Sequence, residues 1–430
     1  MRVSILTYGC KLNQYETELM TERLENIGFV VMTEEVESDV FILNSCVVTN
    51  EATRKIRQEI RKLKRKYPES KIIVAGCYSQ LSADEILKEG VDLVVGNGEK
   101  RKIDEYIGRT GVYVDKAYWK DGNGIEEETI YAAISDRTRA FVKVEDGCNN
   151  VCTYCAIRLA RGVKVRSKPV EFVVTEVRRL IKRNYKEIVI TGLNLGKYGL
   201  ERGYNLLDLL EELVKIEGDF RIRLSSINPE DITDKLIDFI INEIKICNHL
   251  HIPLQSASDR ILEKMNRNYR QRNYIEIVNK LRKKDPIFSI TTDIMVGFPG
   301  ETEKDFYETL KVVEDLRFSK VHAFRYSPKK GTLASTFTDQ IPGNIKKERL
   351  IKLEQLSKKM AKEYRKNLVG AKLKVLVEGA KNGIYRGYDE YYVLHEIPKG
   401  SFGNFEDVIV FSVTEEGVVS KSVRKQVSNR

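Results

Sequence analysis

Histidine is scarce in this chain, four residues in 430, and tryptophan occurs once. No uninterrupted apolar run approaches the roughly 20 residues that a membrane helix needs. The start, MRVSILTYGC, lacks the charged and apolar regions of a signal peptide. These absences point to a cytoplasmic protein with no membrane association. Seven cysteines are too few to staple so long a chain with disulfides, and in a reducing cytosol clustered thiols serve as metal ligands or catalysts. No pair of His or Asp residues stands in a pattern suited to general acid–base catalysis, so any chemistry here comes from another source.

What is present describes a globular protein. Hydrophobic residues make up 42% and charged residues 32%, which excludes collagen, mucin-like stalks and wholesale disorder. The length predicts two to four domains. Abundant Lys, Glu, Arg and Ile suit a thermophile. The net charge of +10 admits a polyanionic partner. It is unevenly spread: residues 54–66, RKIRQEIRKLKRK, hold eight basic residues against one acidic, and residues 345–366 hold nine against three. Each run reads as a helix, either a solvated face or a surface for RNA.

From residue 1 to 107, apolar runs (VSILTY, DVFILNS, KIIVAG, DLVVGN) alternate with helical patterns, which predicts a small doubly wound parallel sheet, an α/β domain. Residues 108–138, with Trp119, lose this period and read as a linker. Between 139 and 343 six strand-like runs (AFVKVED, EIVITG, FRIRLSS, HLHIPL, SITTDIMVG, KVHAFRYS) are separated by helices. Six βα repeats predict a partial parallel barrel whose chemistry sits where strands end. Residues 344–366 form the basic linker helix. Residues 367–430 alternate with period two between Gly and Asn turns, which predicts a small antiparallel barrel.

The cysteines fall at those strand ends. Cys148, Cys152 and Cys155 form C-x3-C-x2-C in the loop after the first barrel strand. Three thiolates on a four-iron cluster leave one iron open; the alternative is a structural zinc loop that draws its fourth ligand from elsewhere. Cys10, Cys46 and Cys77 each follow an apolar run of the first domain. In a parallel sheet these positions share the carboxyl edge, where such sheets bind ligands. Each taken singly reads as a buried structural thiol; together they read as a second ligand set. Cys247 has no such company and reads as a core residue, as do His251 and His322.

The loop GCNNVCTYC, with Tyr154 as the aromatic, resembles the signature of radical S-adenosylmethionine (SAM) enzymes. The order of a three-cysteine domain, that barrel and a small terminal barrel resembles the methylthiotransferases, whose last module is the RNA-binding TRAM domain. The words TYGCKLNQYETE, NSCVVTNEATRKIRQ, RGVKVRSKP, ITGLNLGKYG and IPLQSASDRILEKMNRNY are similar to the tRNA N6-threonylcarbamoyladenosine branch rather than to the GCQMN or GCPKN words of its relatives. Those relatives act on N6-isopentenyladenosine of tRNA or on an aspartate of a ribosomal protein.

The resemblance implies two 4Fe-4S clusters, one on Cys148, Cys152 and Cys155 that cleaves SAM to a 5′-deoxyadenosyl radical, and an auxiliary one on Cys10, Cys46 and Cys77 that carries or delivers sulfur. It implies methylthio insertion at C2 of N6-threonylcarbamoyladenosine at position 37 of tRNA, and an electron donor such as a flavodoxin or ferredoxin. By the same analogy Tyr154, Asn194, Ser225, Ser226, Gln255 and Asp293 are expected to contact SAM. A reading of a different class is a non-catalytic RNA-binding protein that uses metal only to staple its fold. The terminal barrel ends in GVVSKSV rather than the usual Leu/Val-x-Gly and is nearly balanced in charge.

Overall fold

The structure, a computed structural model, describes residues 1–118, 125–126, 128–131 and 138–423. Trp119 lies outside them. The first unit is a six-stranded parallel sheet in the order β2-β1-β3-β4-β5-β6, built from β1 (Arg2–Thr7), β2 (Val30–Met32), β3 (Val40–Ser45), β4 (Lys71–Gly76), β5 (Leu93–Val95) and β6 (Gly111–Tyr113). β2 was not signalled by a long apolar run, and β6 falls in the stretch read above as a linker; both are three-residue edge strands. Alternation along each strand puts Val3, Ile5, Val40 and Ile42 with Met20 and Leu24 on one face, while Phe41, Leu43, Ile72 and Val74 pack Ile56, Ile60 and Leu63 on the other. With helices on both faces, the only open rim that collects βα loops is the carboxyl edge.

The central unit has β7 (Arg139–Lys143), the two-residue strands β8 (Glu145–Asp146) and β9 (Arg166–Ser167), then β10 (Glu187–Thr191), β11 (Arg221–Leu224), β12 (His249–His251), β13 (Ser289–Val296) and β14 (Lys320–Arg325). All pairings among the six long strands are parallel, in two sheets joined by the Ile222–Ile246 and Ser226–His251 bridges, so the strands run around a partial barrel in chain order. Ile188, Ile190, Ile222, Leu224, Leu250 and Ile290 meet the surrounding helices in the main core. The alternate positions face inward. Phe141, Val189, Met295 and Phe324 are apolar there, but the inner face is otherwise largely polar, with Glu187, Thr191, Arg223, His249, His251, Thr291, Asp293 and His322. Closed barrels of this kind are filled by branched aliphatic residues, so this interior is built for a polar ligand.

β15 (Lys372–Lys381), β16 (Ile384–Tyr388), β17 (Leu394–Ile397), β18 (Phe405–Val413) and β19 (Val418–Ser422) close a five-stranded barrel in the order β15-β16-β17-β19-β18. Its pairings are antiparallel except β17–β19, which is parallel. An odd number of strands cannot alternate in direction around a closed ring, so one like-directed pair is unavoidable in the small antiparallel barrel that the sequence predicts. This barrel seals the amino end of the central one. Arg221 donates to the carbonyls of Lys374 and Tyr388 at 2.9 and 2.8 Å, Arg223 donates to that of Asp389 at 2.8 Å, and Arg139 pairs with Glu378 at 2.8 Å. The basic helix Gly343–Lys366 joins the two, with the Tyr364 hydroxyl on the Ile287 carbonyl. Among the described residues no helix is long and apolar enough to cross a membrane.

Candidate active site

Each cysteine of the first unit ends a strand of the parallel sheet. Cys10 caps the helix Lys11–Asn26 after β1, Cys46 follows β3, and Cys77 is the first residue of the helix Cys77–Leu87 after β4. The turn before Cys77 requires glycine: Gly76 has φ +100°, and a Cβ there would stand 2.6 Å from the Ser45 carbonyl oxygen. The three thiols share one electrostatic neighbourhood. Burial, with Cys77 and Cys10 adding, pushes the Cys46 thiol up to about 11, and burial likewise raises Cys10, with Cys77 adding. Among the described residues no group of three His, Cys, Asp or Glu side chains closes on a single metal ion. A zinc ion needs its sulfurs at about 2.3 Å, whereas a four-iron cluster takes each cysteine on a different iron and so accepts wider spacing.

Behind these thiols lies a buried salt network. Glu16 accepts from Lys100 at 2.5 Å, from both terminal nitrogens of Arg161 at 2.5 and 2.8 Å, and from Lys143 at 3.3 Å. Asp146 pairs with Lys143 at 3.1 Å, Arg161 at 3.3 Å, Arg166 at 3.6 Å and Arg101 at 3.7 Å, while Glu128 pairs with Lys143 and Arg101. Burial alone would raise the Glu16 and Asp146 carboxyls, but these cations hold both far below the usual carboxylate range. Arg161, Lys100, Lys143, Arg101 and Arg166 outnumber Glu16, Glu128 and Asp146. The surplus positive charge lies beside the thiols, and both Arg161 and Lys100 feel Cys77. Buried charge in surplus calls for a counter-charge. Three thiolates on an iron–sulfur cluster supply one, so the residues present fit that group.

The same network reaches the second trio. The loop of Cys148, Cys152 and Cys155 leaves β8 through Gly147, whose φ is +89° and whose Cβ would overlap the Lys164 carbonyl oxygen at 1.9 Å. Cys155 caps the short helix Ala156–Arg161, and that helix ends at Arg161. Arg161 donates to Asn13 Oδ1 at 3.3 Å, and the same oxygen lies 3.5 Å from the Cys10 thiol. Asn97 Nδ2 donates to the Ala160 carbonyl at 2.9 Å and lies 3.7 Å from Cys77 Sγ. Lys329, after β14, feels Cys46. The two trios are thus neighbours across one interface, tied by side chains from both units.

On the barrel side, burial, with the neighbouring Cys155 and Glu145 adding, pushes the Cys148 thiol up to about 12. Arg267 lies 3.1 Å from Cys152 Sγ and donates to Asn228 Oδ1 at 2.7 Å; Asn228 donates to Asn194 Oδ1 at 2.8 Å; the Asn194 backbone N–H donates to Glu145 at 2.7 Å. This chain of contacts links the ends of several strands. Beside it stand buried polar atoms with no partner among the described residues: Asn194 Nδ2, Ser225 Oγ, Gln255 Oε1, Glu145 Oε1, Glu230 Oε2 and Arg267 Nε. Buried polar groups are almost always satisfied, so this rim has the donors and acceptors of a site for a polar ligand.

Of the six residues expected at SAM, Asn194, Ser225 and Gln255 carry such atoms. Gln255 also holds φ +61°, a left-handed conformation that costs energy outside glycine. Asp293 lies on the inner face, 3.4 Å from His251 Nε2. Burial opposes its ionisation, but the His251 hydrogen bond outweighs it and its carboxyl is lowered. Tyr154 packs edge-on to Phe298, and Ser226 pairs through its backbone with His251. Cys247 is buried away from both trios, as expected. His251 and His322 are not plain core residues: they line the polar interior, their rings 5.7 Å apart. Asn13, Asn97, Glu145, Arg161 and Arg267 escaped the sequence reading. A polar residue directly after a strand end was the available signal for Asn97 and Glu145 alone.

Half of the basic residues in the run 54–66 are engaged in ion pairs within their own unit. Lys55 pairs with Glu51, Arg61 with Glu89, and Lys62 and Lys66 with Glu35, which favours the solvated-face reading over a phosphate track.

Comparison with known proteins agrees with this layout. Residues 2–96 match the family described as "Uncharacterized protein family UPF0004", and residues 142–313 match the radical SAM superfamily. The chain is similar to the threonylcarbamoyladenosine tRNA methylthiotransferase MtaB of Thermotoga maritima, 46% identical over 97% of this chain and 96% of the relative. The Bacillus subtilis protein of the same name is 39% identical over 95% and 91%. A tRNA-2-methylthio-N(6)-dimethylallyladenosine synthase of Clostridium tetani is 38% identical over 87% and 85%. Among solved structures, the radical SAM methyltransferase TsrM of Kitasatospora setae superposes with a TM-score of 0.58 at 15% identity, covering 78% of this chain and 77% of that one; at that identity it speaks for the fold alone.

Proposed function

The chain belongs to the radical SAM methylthiotransferase family, and from that premise we propose that it replaces the C2 hydrogen of N6-threonylcarbamoyladenosine, at position 37 of tRNA, with a methylthio group. Membership brings with it SAM and a 4Fe-4S cluster. In our reading Cys148, Cys152 and Cys155 hold that cluster, and Cys10, Cys46 and Cys77 hold an auxiliary one. When bound, these groups supply reductive cleavage of SAM to a carbon radical and a station for sulfur, chemistry that a C–H bond of an aromatic ring requires and that no side-chain base provides.

The protein's own part is to hold and exclude. Asn194, Ser225, Gln255 and Glu145 offer the unpartnered donors and acceptors that the amino, carboxylate and ribose groups of SAM require; Tyr154, Ser226 and Asp293 complete that candidate set. Arg161 and Lys100 offset the negative charge of the auxiliary site. The partition into three units, the first running through β6 to residue 113 and the others covering 139–343 and 367–430 with the basic helix between them, gives the first unit to sulfur, the second to the radical and the third, a TRAM barrel, to RNA docking. The protein would work in the cytoplasm with a flavodoxin- or ferredoxin-type electron donor.

The observation that carries this reading is the joint between the trios. Cys10 and Cys77 reach, through Asn13 and Asn97, the last two residues of the helix that Cys155 begins. Two separate metal staples would have no need of a shared buried network. The test is anaerobic reconstitution with iron, sulfide, SAM and reductant, followed by mass analysis of anticodon stem-loop RNA carrying either the threonylcarbamoyl or the isopentenyl group, and of the ribosomal protein. The threonylcarbamoyl RNA alone should gain the mass of methylthio in place of hydrogen; gain by either of the others instead overturns the substrate reading.

A further inference from the structure

The cysteine loop of the central barrel is gripped by the segment that ends the helix Asp259–Lys264. The Thr153 hydroxyl donates to the Lys264 carbonyl at 2.9 Å, the Thr153 backbone N–H donates to the Met265 carbonyl at 3.1 Å, and Asn266 Nδ2 donates to the Val151 carbonyl at 3.1 Å. Asn266 turns the chain with φ +57°, a left-handed conformation that asparagine tolerates better than most residues. The next side chain, Arg267, is thereby brought against the loop. Its Nη1 donates to Cys152 Sγ at 3.1 Å and its Nη2 to Asn228 Oδ1 at 2.7 Å, while the guanidinium lies 5.0 Å from the centre of the Tyr269 ring. Tyr269 is itself fixed, its hydroxyl shared between the Pro253 and Leu254 carbonyls at 3.0 and 2.7 Å.

Arg161 and Arg267 each stand beside a trio, but their charges are met differently. Arg161 has Glu16 and Asp146. Arg267 is 8% exposed, and among the described residues it forms no ion pair with a carboxylate; its partners are a neutral amide, an aromatic face and a sulfur. A buried guanidinium needs an anion, and Cys152 Sγ, as a cluster-bound thiolate, is one within hydrogen-bond reach. Hydrogen bonds to the sulfurs are among the levers that set the potential of an iron–sulfur cluster. A cationic donor on a sulfur favours the more negative, reduced state and so raises that potential.

We infer that Arg267 is a positioning residue that raises the reduction potential of the 4Fe-4S cluster on Cys148, Cys152 and Cys155, so that a flavodoxin- or ferredoxin-type donor reduces it more readily. The inference rests on the reading that this trio holds the cluster, and it deepens that reading by naming the side chain that tunes it. Arg267 takes no part in breaking or forming bonds of the substrate.

The test is a redox titration of the anaerobically reconstituted full chain, followed by electron paramagnetic resonance. The signal that changes shape when SAM is added belongs to the barrel cluster, and the other serves as internal reference. Arg267→Met removes the charge and the donor together. It should shift the barrel midpoint to more negative values by the equivalent of about tenfold in the ratio of reduced to oxidised cluster, about 59 mV for one electron, with the reference unmoved. Arg267→Lys, which keeps a positive charge beside the sulfur, should show less than half of that shift. Arg267→Gln, also neutral, should shift in the same direction as Arg267→Met and decides the matter should that variant take up no barrel cluster. An unmoved midpoint in a loaded neutral variant overturns the inference, as does a shift in Arg267→Lys as large as in the neutral variants, or an equal shift of both clusters. Failure of the cluster reading is seen separately, as a SAM-responsive signal that survives replacement of Cys148, Cys152 and Cys155 together by alanine.

Discussion

Cys148, Cys152 and Cys155 lie on one loop, while Cys10, Cys46 and Cys77 arrive from three different strands of a parallel sheet. The electrostatics differ as much as the routes. The first unit's trio is backed by a buried surplus of Arg and Lys, whereas the barrel trio is bordered by the Arg267 guanidinium and a rim of unpartnered polar atoms from Asn194, Ser225, Gln255, Glu145 and Glu230. A place that holds net negative charge needs the former. A place that receives a zwitterionic ligand, and must distinguish its amino end from its carboxylate end, needs the latter. Two sites with the same three-thiol donor set are thereby fitted to different tasks.

The sharpest way to break the comparison is to remove one trio at a time. Cys148→Ala should reduce 5′-deoxyadenosine formation to background, and Cys46→Ala should leave that formation in place while methylthiolated RNA disappears, both read by chromatography with mass detection. If Cys46→Ala still makes the RNA product in full, the sulfur role of the first trio is lost.

Next in size is the joint between them. Arg161→Met leaves Glu16 and Asp146 with Lys143 but without Arg161, the other cation they share, and breaking a buried network in this way costs about 3–5 kcal/mol. Thermal unfolding should report that loss. Iron analysis of the same variant should show that the auxiliary site retains less metal while the barrel site keeps its own. Equal loss from both sites would mean that the network serves folding alone.

A smaller effect separates the carboxylates by pH. Glu145 is fully buried, and burial pushes its carboxyl from 4.5 up to about 8. Its native form therefore holds a proton that the unfolded chain releases at lower pH. Stability from this group is greatest below the unfolded value and falls as pH rises toward 8, by at most about 1.4 kcal/mol per pH unit. Glu16 and Asp146 act in the opposite sense, their contribution being lost only as pH falls through the acid range. Glu145→Gln should flatten the decline between pH 5 and 8, measured by Tm against pH; an unchanged profile would show that Glu145 is ionised in the native protein. The smallest effect is expected at the exposed helix Asn50–Lys66. With half of its basic residues already in local ion pairs, Arg54→Ala should lower the slope of log affinity for tRNA against log salt by no more than about one.

How far the sequence carried the account follows the same division. The barrel trio was legible because its spacing is local and its loop follows a strand. The first trio was legible only through topology, since three apolar runs that precede cysteines imply a shared edge once the sheet is parallel. The six barrel strands and the terminal barrel announced themselves by period, while β2 and β6 did not, because a three-residue edge strand leaves too short a pattern. Least legible were Asn13, Arg161 and Arg267. The word RGVKVRSKP contains Arg161 and Arg166, yet only the docking of two units shows that Arg161 meets Glu16, a residue 145 positions away. Partners that distant leave no mark in a single sequence. The polar inner face was overlooked for a related reason, since His251 and His322 sit in strands that otherwise read as core.

The central claim is that the chain holds two separate iron–sulfur centres, and Mössbauer spectroscopy with iron analysis on the anaerobically reconstituted protein tests it most directly. The account predicts two 4Fe-4S clusters in the native chain, and one in each of two triple variants, Cys10→Ala with Cys46→Ala and Cys77→Ala, and Cys148→Ala with Cys152→Ala and Cys155→Ala. A native protein that takes up a single cluster, lost in the second variant and unaffected in the first, would contradict it.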